Sequence, residues 1–180
     1  MERSRYLTLL ILLGMLTALT ALSIDPTLPS MPEVAHEFGV ENAVAQLSLI
    51  SFMLGIAAGQ LVVGPLADRF GRRPVILFAI IVYVAAATGG AMAADIQWLV
   101  GFRLIQGLAA CAGQILPRTV IRDKFESVDA AKLLSYVMMI HGIAPIIGPI
   151  LGAHLAVAMS WRAVYWFNVA YGSLVFIFVW

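Results

Sequence analysis

Charged residues and cysteines are the residue types that this sequence has little of. Of its 180 residues, 12% are charged, and one, Cys111, is a cysteine. A lone cysteine excludes an internal disulfide framework, and because Cys111 lies in an apolar segment we interpret it as a packing residue. The formal net charge of +1 provides no global field that would attract nucleic acid, so we expect no nucleic-acid partner.

Apolar residues account for 62% of the chain and fall in successive long runs. A helix needs about 20 apolar residues to cross a hydrocarbon core of about 30 Å. Six runs meet this length, at approximately residues 6–25, 43–66, 74–93, 97–117, 131–157 and 162–180. This pattern excludes a soluble globular fold and predicts a multi-pass membrane protein in contact with the lipid bilayer. The first run is longer than a signal-peptide core and lacks a small-residue cleavage site, so we interpret it as a retained span.

The basic residues predict the orientation of these spans. Nine of the eleven lie in three alternate segments, whereas the segments between them contain only Arg162. The nine are Arg3, Arg5, Arg69, Arg72, Arg73, Arg118, Arg122, Lys124 and Lys132. By the positive-inside rule the N-terminus is cytoplasmic, and the expected location is the plasma membrane, which is the inner membrane of a bacterium. The sixth run has no basic flank, so we expect the chain to be truncated near the end of its sixth helix.

A charged stretch with the sequence GPLADRFGRR stands between the second and third runs. We predict a tight connection in which Gly64 and Gly71 supply the turn conformations and Pro74 lies in the first turn of the next helix. Asp68 and Arg72 are four residues apart and would pair on one face if the second helix continues that far. The alternative interpretation is an ordinary basic loop.

The order of glycine, aspartate and arginine in this stretch resembles the signature loop between the second and third spans of the major facilitator superfamily. The resemblance implies that the loop acts as a conformational latch against a second half of the transporter. The matching residues are Gly64, Asp68, Arg69, Gly71, Arg72 and Arg73.

The first span ends in a carboxylate that is followed by prolines. Asp25 comes directly after an apolar helix, and Pro26, Pro29 and Pro32 prevent that helix from continuing smoothly. Asp25 is then either an interfacial cap in water or a carboxylate held within the outer third of the membrane. The segment resembles the first-span end of drug:proton antiporters related to bicyclomycin and chloramphenicol resistance proteins, which implies a role for Asp25 in proton and substrate handling.

The fourth run contains Arg103, which shares one helix face with Gln106 and Gly107. A guanidinium at mid-bilayer costs at least about 2.5 kcal/mol, so it should face the bundle interior or a water-filled cavity and have a partner. The alternative is that Arg103 extends towards the outer interface. The order Arg, Gln, Gly resembles the fourth-span motif of the superfamily, whose arginine is associated with proton coupling; in that scheme Arg103 biases the protonation of Asp25.

The fifth run has small residues on one helix face. Ala144, Gly148 and Gly152 follow each other at steps of four, as do Pro145 and Pro149. A close-packed, kinked membrane helix explains this pattern without any transport role. It also resembles the antiporter motif of the superfamily, although Ala153 stands where the motif has a glycine.

Several polar residues remain as weaker candidates. We predict that Gln60 and Gln106 line a substrate path, while His141 is either a path residue or a buried histidine with its hydrogen bonds satisfied. Gly55 and Gly59 predict close helix packing, and the third run, which is apolar and has few motifs, is expected to be lipid-facing support rather than a site. The outer segment contains an acidic group that we interpret as a solvated face rather than a metal site, namely Glu33, His36, Glu37 and Glu41.

Together these resemblances imply an all-α membrane fold of six transmembrane helices arranged as two inverted three-helix repeats, one half of a twelve-helix transporter. The implied function is efflux of small amphipathic drugs in exchange for protons, with a missing C-terminal six-helix half as partner and no metal or other cofactor. Two alternatives stay open: a truncated inactive or regulatory membrane module, and a proton-driven uptake symporter. No enzyme motif stands out.

Overall fold

The computed structural model describes residues 3–125 and 127–180, and the regular elements in these ranges are all helical. A 3₁₀ helix, Asp25–Ser30, separates the first two α-helices. The α-helices are α1 (Arg3–Ile24), α2 (Met31–Phe38), α3 (Asn42–Phe70), α4 (Arg72–Ala91), α5 (Ile96–Lys124), α6 (Ser127–Ala158) and α7 (Trp161–Val179). Six segments within the described residues are long and apolar enough to cross a membrane, with α1, the 3₁₀ helix and α2 forming the first. The six predicted spans are therefore confirmed.

The helices α3 and α5 are longer than the apolar runs that predicted them. α3 continues to Phe70 and α5 to Lys124, whereas the runs end near residues 66 and 117. At about 1.5 Å per residue, a helix of 29 residues is roughly 43 Å long, which exceeds the hydrocarbon thickness. Hydropathy therefore marked where each helix crosses the apolar layer, and the charged ends of α3 and α5 continue as helix beyond it.

Glycine allows α3 and α5 to pack closely. A Cβ atom at Gly107 would overlap the carbonyl oxygen of Phe52, and one at Gly55 would overlap that of Leu104. At Gly59 a Cβ would lie 2.8 Å from both the Cβ of Cys111 and the carbonyl oxygen of Leu108. The packing interpretations of Gly55, Gly59 and Cys111 are confirmed, and this close contact fixes the position of Arg103, one turn from Gly107.

The helix contacts follow a two-fold pattern. α3 packs against α5, α1 against α6, and α4 against both α5 and α7. If α1, α3 and α4 are exchanged with α5, α6 and α7 respectively, the same contacts are obtained. The contact of α3 with α5 then corresponds to that of α6 with α1, and the contact of α4 with α5 corresponds to that of α7 with α1. Because three is odd, the second set crosses the membrane in the opposite direction. The architecture is that of two inverted three-helix repeats.

Candidate functional site

The helical break at Asp25 has its cause in the prolines. Pro26 and Pro29 have no backbone N–H, and the chain tightens into a 3₁₀ helix from Asp25 to Ser30 before α2 begins. In a 3₁₀ pattern the N–H of residue 26 would donate to the carbonyl of Ser23, so Pro26 leaves that carbonyl without this donor. The expected interruption after Asp25 is confirmed, and the Ser23 carbonyl beside it accepts from the side chains of Arg103 and Thr27.

Asp25 lies against the small-residue face of α6. A Cβ atom at Gly148 would come within 2.5 Å of the Cβ of Asp25, and one at Gly152 would overlap the carbonyl oxygen of Pro26. The Oδ2 atom of Asp25 is buried and has no hydrogen-bond partner among the described residues. The glycines of the fifth-span motif therefore allow α6 to cover a partly buried carboxylate.

The remaining motif residues of α6 have different surroundings. Ala144 is buried at 6% exposure, whereas Pro145 is exposed and Pro149 is partly buried. The α-helix is continuous across both prolines. The contact with the first span is thus made by the small residues of the motif, and the prolines lie largely outside it.

Arg103 is completely buried, at 0% exposure, and binds three other elements of the bundle. Its Nη2 donates to the carbonyl oxygen of Ser23 at 3.0 Å, and its Nη1 donates to Oε1 of Gln106 at 3.1 Å. Its Cζ lies 4.3 Å from the centroid of the Phe52 ring and 5.6 Å from that of Tyr165. Interaction with aromatic faces helps to offset the cost of burying the charge. The interior placement is confirmed, and extension to the outer interface is wrong.

Arg103 and Asp25 are not directly paired, and the expected influence of Arg103 on the protonation of Asp25 stays a prediction. The two side chains form no ion pair; Arg103 instead binds the backbone of Ser23, two residues before Asp25. The physical reason is that Pro26 leaves the Ser23 carbonyl available, and a guanidinium binds a free carbonyl well.

His141 lies on the same face of α6 as Gly148, seven residues earlier. Its Nδ1 is 3.3 Å from the carbonyl oxygen of Thr17 on α1, and its side chain is partly buried. His141 and Asp25 therefore lie along one seam between α1 and α6, separated by roughly 10 Å of helix rise.

The two glutamines predicted to line a path differ from each other. Gln106 is completely buried and accepts from Arg103, so in this conformation it is a ligand of the guanidinium rather than an exposed lining residue. Gln60 is exposed on α3, next to Gly59, which contacts α5. Its place on a substrate path stays a prediction.

Sequence analysis missed the contribution of the third and sixth spans. The Tyr83 hydroxyl on α4 lies 2.6 Å from Oγ of Ser23, so the third span supplies a buried polar group and the expectation that it is only lipid-facing support is wrong. On α7, Tyr165 contacts Arg103 and Asn168 is completely buried one turn later. Polar side chains inside apolar runs were the available signal, but nothing in their spacing shows that Tyr83 meets Ser23 or that Tyr165 meets Arg103.

The connection between α3 and α4 is shorter than the sequence suggested. Gly71 alone has a left-handed backbone there, with φ of 88°, while Gly64 lies within α3, where a Cβ atom would meet open space. The turn role predicted for Gly64 is therefore wrong. Because the helix breaks at Gly71, Asp68 and Arg72 do not share one helix and their predicted pairing is also wrong.

The arginines of this connection find other partners. Arg72 forms an ion pair of 2.5 Å with Asp123 at the end of α5. Arg73 donates to the carbonyl oxygen of Trp180, and Arg69 lies over the ring of Phe70. Asp68 is exposed and forms no ion pair within residues 3–125 and 127–180. The segment is thus tied to α5 and α7 of the same bundle through Arg72 and Arg73, which leaves the Asp68 carboxylate free.

At the opposite end of the bundle, α2 is joined to α7. Glu37 forms an ion pair with Arg162 and accepts from Nε1 of Trp161 at 2.5 Å, and Arg162 also donates to the carbonyl oxygen of Ala93 at 3.1 Å. Among the described residues, no group of three or more histidine, cysteine or acidic side chains is arranged to hold a metal ion. Glu37 thus acts as a tether between helices.

Comparison with known proteins gives consistent results. Residues 11–180 match the family model of the Major Facilitator Superfamily. The chain is 34% identical over 175 residues to the uncharacterized MFS-type transporter YdgK of Bacillus subtilis, covering 96% of the chain and 44% of the relative. It is 30% identical over 165 residues to the bicyclomycin resistance protein homolog of Haemophilus influenzae, covering 92% and 41% respectively.

A solved structure shows the same fold. The crystal structure of the human organic anion transporter MFSD10 (TETRAN) superposes with a TM-score of 0.71 at 21% identity, covering 99% of this chain and 47% of that one. The chain therefore spans less than half of the length of the relatives that it matches.

Proposed function

Because the chain belongs to the Major Facilitator Superfamily, whose members are membrane transporters, we propose that it forms one half of a proton-coupled drug efflux antiporter that works by alternating access. The relative named as a bicyclomycin resistance protein homolog supports a drug as substrate. The chain covers less than half of that relative, so the path requires a second six-helix half as partner. The proposed location is the bacterial inner membrane, with the N-terminus in the cytoplasm.

The observation that carries the proposal is the partly buried carboxylate of Asp25 at a break in the first span. Its Oδ2 has no partner among the described residues, and α6 covers it through Gly148 and Gly152. A carboxylate that no cation holds in its charged form can change between the charged and the neutral form at a modest cost in free energy. Proton exchange requires both forms to be accessible. Motion of α6 along this seam would change the access of water to Asp25.

The surrounding groups have distinct proposed roles. Arg103 is proposed to hold the break in place through the Ser23 carbonyl. His141, which lies on the same seam and contacts α1 at Thr17, is proposed to modulate the Asp25 charge. The connection around Gly71 is proposed as the latch. In it Arg72 is held by Asp123, and the exposed Asp68 is available to the second half.

The experiment is drug-driven proton release from the transporter assembled from this chain and its second six-helix half. Bicyclomycin is added to lightly buffered, detergent-solubilised protein, and released protons are followed with a pH dye. Wild type should release protons, and Asp25→Asn should release fewer than one tenth as many, because the amide has no proton to exchange. Asp95→Asn is the matched control: Asp95 caps α5 by accepting from the Trp98 N–H, and asparagine caps a helix equally well.

Undiminished release from Asp25→Asn would show that another group carries the proton. Loss of release in Asp95→Asn to the same extent would show that the effect reflects general damage to the fold. Uptake of protons on addition of the drug, in place of release, would contradict exchange and indicate symport.

A further inference from the structure

Tyr83 belongs to a set of hydrogen bonds that hold Ser23 from two sides. Ser23 is completely buried and lies two residues before Asp25, where α1 gives way to the 3₁₀ helix. Its side chain lies within hydrogen-bond distance of Tyr83 on α4, and its carbonyl binds Arg103 on α5. We call Ser23, Thr27, Tyr83 and Arg103 the Ser23 clamp.

The direction of the bond between Tyr83 and Ser23 follows from a count of protons. The hydroxyl of Ser23 donates to the carbonyl oxygen of Leu19 at 2.7 Å, which uses its single proton. The contact of 2.6 Å with Tyr83 therefore has the tyrosine hydroxyl as donor and the Ser23 Oγ as acceptor. Tyr83 is 1% exposed, so water does not compete for this bond.

The carbonyl of Ser23 is held in the same way. It accepts from Nη2 of Arg103 at 3.0 Å and from Oγ1 of Thr27 at 2.9 Å. These two donors occupy both lone pairs of the Ser23 carbonyl oxygen. Pro26 has no N–H to donate to this oxygen. Backbone and side chain of Ser23 are thus both fixed, by groups on α4, on α5 and in the 3₁₀ helix.

We propose that Tyr83 is a positioning residue for the Asp25 site, acting through Ser23, which it clamps together with Arg103. This inference rests on the proposed function, since it gives the clamp a purpose in proton exchange. Only Ile24 separates Ser23 from Asp25, so releasing the Ser23 side chain lets the break move and changes how deeply the carboxylate is buried. Loss of the Tyr83 hydroxyl is therefore expected to alter the protonation of Asp25 without any contact between the two side chains.

The chain contains a matched control for this test. Tyr171 on α7 also donates its hydroxyl to α1, to the carbonyl oxygen of Met15 at 2.9 Å. Met15 lies within the regular helix, eight residues before Ser23. Tyr83→Phe and Tyr171→Phe thus each remove one hydroxyl bond to the same helix while keeping the ring, and they differ in whether the bond is at the break.

The measurement is an infrared pH titration of the protein in lipid nanodiscs. The carboxyl band of Asp25 is identified as the one that is absent in Asp25→Asn. Tyr83→Phe should shift the midpoint of this band by at least about half a pH unit, a threefold change in proton affinity, and Tyr171→Phe should leave it in place. Ser23→Ala should also shift it, and the double variant Tyr83→Phe/Ser23→Ala should shift it no further than Ser23→Ala alone, because both remove the same bond.

An unchanged midpoint in Tyr83→Phe would overturn the proposal. So would an equal shift in Tyr171→Phe, or additive shifts in the double variant, because either result would mean that the Tyr83–Ser23 bond is not the cause. The Asp25 carboxyl titrates whether or not the protein exports a drug. The Tyr83 proposal can therefore be overturned while drug-driven proton release is still observed. Proton release can also be absent while the infrared titration supports the Tyr83 proposal.

Discussion

Arg103 illustrates how a single charged residue can be accommodated in an apolar bundle. Its guanidinium is completely buried, yet it has a carbonyl, an amide oxygen and two aromatic faces as neighbours. None of these neighbours carries a full negative charge. The guanidinium is thus accommodated without an ion pair to Asp25, as the proposed proton exchange at Asp25 requires.

Gly71 and Gly64 allow a prediction at the same scale, because only one of them has an unusual backbone. Gly71 has φ of 88°, whereas Gly64 is helical with open space around it. Gly71→Ala should lower the free energy of unfolding by about 1 kcal/mol. Gly64→Ala should leave it unchanged or raise it by up to about 1 kcal/mol, since alanine is the better helix former. Thermal unfolding in detergent measures both, and equal effects of the two variants would contradict the assignment of the turn to Gly71.

At the scale of elements, α6 and the 3₁₀ helix form the seam around Asp25. Their contact depends on the absence of side chains at Gly148 and Gly152, which bring α6 against the backbone of Pro26. The same device joins α3 to α5 through Gly55 and Gly107. Small residues give membrane helices close approach where the hydrophobic effect provides no driving force.

The variant Gly152→Val tests whether this close contact between α6 and the 3₁₀ helix contributes to stability. Gly152→Val would place methyl groups where the carbonyl of Pro26 lies, and we expect a loss of about 1–3 kcal/mol in stability. Gly142→Val, on the same helix, is the control because a Cβ atom at Gly142 meets nothing within 4 Å. Thermal midpoints of the two variants should differ by several degrees, with Gly152→Val the lower. Equal midpoints would show that the seam between α6 and the 3₁₀ helix can open at no cost.

At the scale of the whole molecule, the two ends of the bundle are held by different ion pairs. Arg72 with Asp123 joins α4 to α5 at one end, and Glu37 with Arg162 joins α2 to α7 at the other. Both pairs are partly exposed, so each contributes little stability by itself. Their value lies in fixing helix ends within one bundle, which in the proposed mechanism moves as a unit against a second half.

The orientation of that bundle gives a prediction from the distribution of basic residues. A membrane-impermeant thiol reagent added to intact cells should label His36→Cys, and it should label Phe70→Cys only after the cells are opened. Both positions are exposed on the bundle, and the native Cys111 is buried and should stay unlabelled. The opposite labelling pattern would reverse the orientation and with it the proposed direction of transport.

The sequence alone was sufficient for the number of spans, their order and the interruption after Asp25. These properties depend on local sequence. About 20 consecutive apolar residues are enough to form a span, and proline lacks a backbone N–H at any position. Asp25, Arg103 and the glycines of α6 could be identified as candidates for the same reason, since each is costly or unusual in its own local surroundings.

Only the tertiary structure decided which of these groups meet. Arg103 binds the Ser23 carbonyl and not Asp25, Arg72 pairs with Asp123 and not Asp68, and Tyr83 reaches Ser23 from a span that looked featureless. Such pairings depend on the rotation of each helix about its axis and on how closely two helices approach. A sequence run that is hydrophobic on all sides of the helix predicts neither the rotation nor the distance. The rotation of each helix is fixed when its glycines make close contacts and the backbone carbonyls at the breaks find donors. Both conditions are met together only in the assembled bundle.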